Sequence, residues 1–193
     1  GRVLRVRLGV VGAPTAAADF DVLACYMPTR SIGAGSGHDS AADKKAYVLR
    51  VWRHLGIATM ALAAHGRLLV MGDLNAELPV DLRRASRRPQ PSDTGIAHML
   101  DMARVSRLHQ DGDWTFIQEV RGAQRTSVVD HMLASDAMRS EISEASVVDG
   151  VEQGKWRHRA LEAVLRPSGV AQLCDLGEQK AKTVRVCALS GPG

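Results

Sequence analysis

The residues in this chain best suited to chemistry are Asp73 and Asn75, which follow the apolar run Leu68-Leu69-Val70-Met71-Gly72 and precede Ala76 and Glu77. A buried strand that halts on a glycine and then presents a carboxylate and a carboxamide two residues apart places both on one side of an extended chain. One group can steer a water or a cation while the other hydrogen-bonds a phosphate oxygen, which is the chemistry of phosphoester cleavage. Gly-Asp at a strand end is equally ordinary turn chemistry, supplying backbone freedom and a local acceptor. The run alone leaves both readings open.

Other segments narrow the choice. Upstream, Phe20-Asp21-Val22-Leu23-Ala24-Cys25-Tyr26-Met27-Pro28-Thr29 reads as a strand ending in Tyr-x-Pro. Downstream come Trp114-Thr115-Phe116, then Ser127-Val128-Val129-Asp130-His131-Met132-Leu133, then Trp156-Arg157-His158. In this order they resemble the endonuclease/exonuclease/phosphatase superfamily, which includes apurinic-site endonucleases and the endonucleases of retrotransposons lacking long terminal repeats. The resemblance covers about residues 2–166 and corresponds to the later part of the family domain. It implies an α/β fold, a partial two-sheet α/β sandwich lacking its N-terminal strands. Residues 1–166 would form the domain and 167–193 a linker or tail toward a downstream domain. Apolar sheet faces left uncovered in this way are expected to promote association.

The resemblance also implies roles. His158 would contact the scissile phosphate, Asp130 would orient His158, and Asp73 would position the attacking water and is a candidate cation ligand. Asn75 would hydrogen-bond the phosphate, which the phenol of Tyr26 would also reach, whereas Trp114, Phe116 and His131 are expected to pack. The implied reaction is Mg²⁺-dependent hydrolysis of a phosphodiester in DNA, with a retroelement-type endonuclease as the favoured subtype. Two alternatives are a degenerate, non-catalytic nucleic-acid-binding module and a phosphatase acting on a small phosphorylated substrate.

Two departures from the family pattern point to an inactive segment. The principal metal-binding glutamate of the family, and an asparagine ahead of it, belong to an earlier half of the domain that these residues do not include. The family's terminal Ser-Asp-His stands here as Trp156-Arg157-His158, a guanidinium where a carboxylate is expected. A unit charge pair about 4 Å apart is worth on the order of 4 kcal/mol at an effective dielectric near 20, so the reversal beside a divalent cation turns attraction into repulsion.

Composition bounds the rest. At 193 residues, 45% hydrophobic and 24% charged, the chain has the balance of one soluble globular domain rather than of a disordered segment. Its net charge of +4 favours an anionic partner only modestly. The distribution is more informative: Arg83, Arg84, Arg87 and Arg88 crowd a short stretch before Pro89, as a solvated loop or as a contact for a phosphate backbone. Cys25, Cys174 and Cys187 are an odd set without close spacing, which fits a reducing, intracellular compartment, the nucleus included, and no zinc site. No apolar stretch approaches the roughly 20 residues of a membrane span.

The elements expected to position these groups follow from periodicity. Strands are predicted at 2–11, 19–26, 67–72, 114–120, 126–133, 144–149 and 158–165. A helix is predicted over 43–64 with Tyr47, Val51, Leu55, Ala58 and Leu62 on its buried side. A second is predicted to be capped by Ser92 or Asp93 and to bury Ile96, Met99, Leu100 and Ala103. Residues 77–91 read as an irregular, basic surface loop, and Gly33, Gly35 and Gly37 as a flexible loop or a phosphate cradle.

Overall fold

The computed structural model describes residues 2–9, 19–28, 40–110, 112–148, 158–166 and 184–188. In chain order the elements are β1 (Arg2–Leu8), β2 (Phe20–Tyr26), α1 (Ala41–His65), β3 (Leu68–Asp73), α2 (Pro79–Arg84) and α3 (Pro91–Ala103). They continue with β4 (Val105–Arg107), β5 (Phe116–Val120), β6 (Ala123–Ser127), β7 (Asp130–Ser135), α4 (Asp136–Arg139), β8 (Ile142–Val148), β9 (Ala160–Leu165) and β10 (Val184–Ala188). One sheet has the order β1-β2-β3-β7-β4, a second the order β10-β9-β8, and β5 and β6 form a separate hairpin. Within the larger sheet β2 and β3 are parallel, joined through α1, and the remaining pairs are antiparallel. The expected α/β architecture with two sheets is present.

The continuous apolar run of β3 is explained by burial on both faces, the condition of a central strand in a covered sheet. Leu68, Val70, Leu23, Cys25 and Leu133 point to the side where α1 and α3 supply Val48, Trp52, Leu55, Ile96 and Met99. Leu69, Met71, Val22, Met132 and Ala134 point to the other side, against Leu161, Ala163 and Leu165 of the smaller sheet. Helix α1 starts at Ser40, whose hydroxyl oxygen accepts the Asp43 amide at 3.1 Å while donating to the Asp43 carboxylate at 2.7 Å. Its buried side is Val48, Trp52, Leu55, Gly56 and Thr59; Ala58, expected there, is exposed. Among the described residues strand β1 pairs only with β2, and it is exposed along its whole length, leaving Leu4 62% and Val3 48% accessible.

Several local expectations are corrected. The stretch 77–91 is not simply a surface loop, because Pro79 opens α2 as its first residue, where a missing amide costs nothing. Leu78, Asp81 and Leu82 are buried there, and Asp81 pairs with Arg107 at 2.6 Å. Helix α3 is capped by Gln90 rather than by Ser92 or Asp93. The Asp93 carboxylate accepts from the Gln90 amide and, on its other oxygen, from the Glu77 amide, both at 2.7 Å. The single strand expected at 126–133 is two, β6 and β7, broken at Val128 and Val129. Residues 184–188, within the stretch read as linker or tail, form β10 and pair with β9. The glycine-rich segment around Gly33, Gly35 and Gly37 lies outside the described residues.

Candidate active site

The register of the larger sheet sets up the site. Asp73, the last residue of β3, stands opposite Asp130, the first of β7, and beside Tyr26, the last of β2. Gly72 makes this possible: its φ is 127°, and a Cβ there would lie 2.2 Å from the Cys25 carbonyl oxygen. Beyond Asp73 the chain leaves the sheet, with the Leu74 amide donating to Val129 O and the Met27 amide to Asp73 O, each at 2.9 Å. Asn75 then adopts φ 48°, a left-handed conformation that asparagine tolerates better than most residues. Its amide donates to Asp73 Oδ1 and its Nδ2 to Met27 O, both at 2.9 Å. Asp73 and Asn75 are therefore kept together by a side-chain-closed turn, not by the strand alternation that the sequence implied.

The second half of the site is assembled around Thr115. Its fully buried hydroxyl oxygen accepts the amides of Val129 at 3.1 Å and Asp130 at 3.0 Å, and its carbonyl accepts the Arg159 amide at 2.7 Å. One residue thus holds the start of β7 and the approach to β9. His158, just before β9, donates its Nδ1–H to Asp130 Oδ2 at 2.9 Å, and its ring rests on Phe116 with centroids 4.6 Å apart. Phe116 is therefore half-buried against the histidine rather than a core residue, and Trp114 is half-buried under the Arg159 guanidinium, 4.3 Å from its ring. Sequence reasoning missed Thr115, although a lone hydroxyl between two aromatics was the available signal.

Asp73, Asp130 and His158 each place one ligand-capable atom within 4.8 Å of the others. Burial, followed by the charge of Asp130, pushes the Asp73 carboxyl up to about 6, against the opposing hydrogen bond from the Asn75 amide and the pull of His158. Burial works against a charged His158, but its hydrogen bond with Asp130 and the charges of Asp130 and Asp73 outweigh that and raise its pKa above the usual imidazole value. Two mutually repelling, buried carboxylates fit a hard divalent cation, which would take oxygens from Asp73 and Asp130.

The structure thus gathers Asp73, Asn75, Asp130 and His158, with Tyr26 adjoining them in the sheet and partly exposed. Arg83, Arg84, Arg87 and Arg88 are exposed on α2 and the turn after it, outside this cluster. Arg87 is committed to the buried carboxylate of Glu77 at 3.1 Å. Trp156 and Arg157 lie outside the described residues. His131 is fully buried on the opposite face of β7 from Asp130, as expected for packing, and its Nε2 also lies 2.8 Å from the Ala76 carbonyl oxygen.

No family model matches the chain, and no curated protein matches it. Solved structures do. A 3′ phosphatase, NExo, from Neisseria, bound to a product DNA hairpin, superposes with a TM-score of 0.59 at 19% identity over 84% of this chain and 63% of that one. An AP endonuclease from Archaeoglobus fulgidus gives 0.57 at 16% identity over 76% of this chain and 61% of that one. The 3′-5′ exonuclease NExo from Neisseria meningitidis gives 0.55 at 17% identity over 79% and 68%. The fold is that of the endonuclease/exonuclease/phosphatase superfamily. The chain spans 63% and 61% of the length of the first two of these proteins.

Proposed function

We propose that this chain is the phosphate-handling part of a Mg²⁺-dependent phosphodiester hydrolase acting on DNA, of the retroelement endonuclease type. The observation that carries the reading is the meeting of Asp73, Asp130 and His158 within 4.8 Å, with Asn75 fastened to Asp73. Asp73, buried at the end of β3 opposite Asp130, is placed to position the attacking water. His158 is held through Nδ1 by Asp130, and its cationic form, which the hydrogen bond with Asp130 and the charges of Asp130 and Asp73 favour, presents Nε2–H to a phosphoryl oxygen. Asn75 uses one Nδ2 hydrogen on Met27 and keeps the other for the same group. Mg²⁺ on the Asp73 and Asp130 oxygens would neutralise phosphate charge.

DNA as the substrate is supported by the basic balance of the chain, by the exposed Arg83, Arg84 and Arg88, and by what the neighbours act on. The hairpin β5–β6 adds exposed Arg121 and Arg125 on an element whose base touches His158. By resemblance the principal metal glutamate lies in an earlier part of the domain, so these residues alone bind a phosphate without cleaving it. A phosphatase acting on a small substrate would use the same four residues. The exposed arginines favour, as a second reading, a module that holds nucleic acid without using His158.

The test is binding of a 3′-phosphorylated oligonucleotide in Mg²⁺, by wild type and by His158→Ala. Loss of a hydrogen bond to a charged group, about 1.5–3 kcal/mol, should weaken binding roughly tenfold or more, with no cleavage by this chain. A protein that carries these residues together with the family's acidic strand should nick DNA, and its His158→Ala form should not. Equal binding and equal nicking by both proteins would remove His158 from the reaction and leave the arginine-based module. Binding that falls little with added salt would favour the small-substrate phosphatase.

A further inference from the structure

The Asp73–Asn75 turn carries a strained residue and lies at the end of a strand, so something must hold it in place. On the pocket side it closes on itself through Asn75 N to Asp73 Oδ1 and on Met27 through Asn75 Nδ2. The carbonyl of Ala76, the residue after Asn75, points to the other side of the sheet, where it meets Nε2 of His131 at 2.8 Å. His131 is 0% exposed and stands opposite Gly72 in the β3–β7 register, one residue from Asp130. The pairing that brings Asp73 and Asp130 together therefore also sets His131 directly behind them.

Packing alone does not account for an imidazole here. Its Nδ1 is buried without a hydrogen-bond partner, and the neighbouring His109 ring, 5.7 Å away, has both nitrogens in the same condition among the described residues. Burying such a polar ring costs free energy that a phenylalanine of similar size would not incur. The compensating contact is the one to Ala76. A carbonyl oxygen only accepts, so the hydrogen resides on Nε2.

We propose that His131 is a positioning residue, whose Nε2–H fixes the Ala76 carbonyl and thereby holds Asp73 and Asn75 in their phosphate-facing arrangement. This rests on the proposed reading of Asp73 and Asn75 as phosphate-handling groups, but its first readout does not require that reading. Amide hydrogen exchange by NMR at Asn75, relative to Leu69 and Met71 within β3, should accelerate at least about tenfold in His131→Leu. His131→Gln, whose side-chain amide nitrogen falls near the place of Nε2, should restore it. Leu133→Ala, a cavity on the same face of β7, should lower overall stability while leaving the ratio unchanged.

An unchanged ratio in His131→Leu, or the same change in Leu133→Ala, overturns the proposal. Should His131→Leu fail to fold, the wild type decides: a slowly exchanging Nε2–H supports it, and a hydrogen on Nδ1 instead overturns it. With the 3′-phosphorylated oligonucleotide, His131→Leu should bind at least about fivefold more weakly and His131→Gln near wild type. Acceleration in His131→Leu together with a wild type that binds no phosphate would refute the functional reading and leave the positioning role standing.

Discussion

Replacing Asp73 by asparagine should make the protein more stable. Asp73 is 5% exposed and faces Asp130, and burial followed by that neighbouring charge pushes its carboxyl up to about 6 from the ordinary 3.8. The folded chain therefore holds this proton to higher pH than the unfolded chain does, and ionising it costs stability as pH climbs from the lower value through the higher one. The rise from 3.8 to about 6 amounts to about 3 kcal/mol above pH 7. Asparagine keeps the oxygen that accepts the Asn75 amide and removes the charge. Urea unfolding in EDTA should show Asp73→Asn more stable by about 2–3 kcal/mol near pH 7.5, falling to about 1 kcal/mol near pH 4.5, where the folded wild type is already protonated. The titration of His158 should move down at the same time, because one of the two charges raising it is gone. A loss of stability near pH 7.5, or an equal change at both pH values, would refute this account of the site's electrostatics.

Three further outcomes test the framework around the site. Thr115→Val deprives the amides of Val129 and Asp130 of their acceptor and should cost about 2–4 kcal/mol in urea unfolding, with Thr115→Ser near wild type. Arg107→Met strands the buried Asp81 carboxylate and should cost about 3–5 kcal/mol, whereas the double change with Asp81→Asn should recover much of that. Arg83→Ser and Arg88→Ser should each reduce the slope of log affinity for DNA against log salt by about one if they contact phosphates, and leave the fold intact.

What the sequence made legible was what local chemistry decides. Leu68–Met71 is an unbroken apolar run because both faces are covered, and α1 announces itself through its spacing of large residues. The grouping of Asp73, Asn75, Asp130 and His158 was readable from motif order, not from any one motif. What remained hidden depends on partners far along the chain. Pro79 looked like punctuation and is the first residue of a helix held down by Asp81 and Arg107, which are 26 positions apart. The break between β6 and β7 arises because the Val129 amide goes to Thr115 instead of to a neighbouring strand. The arginine run read as one patch, yet Arg87 is spent on Glu77, a pairing that composition does not reveal.

Asp73 and Asp130 belong to the five-stranded sheet, while His158 leads directly into β9 of the other and bridges to Phe116 of the β5–β6 hairpin. The bond between Asp130 and His158 is thus a clasp across two lamellae, held from one side by Thr115 and from the other by their stacking. Warming that loosened the smaller lamella would separate the imidazole from its carboxylate while α1 and α3 still sat on the larger one. Phosphate recognition should then fade at a lower temperature than the helical signal, and the gap between the two measures how tightly the layers adhere.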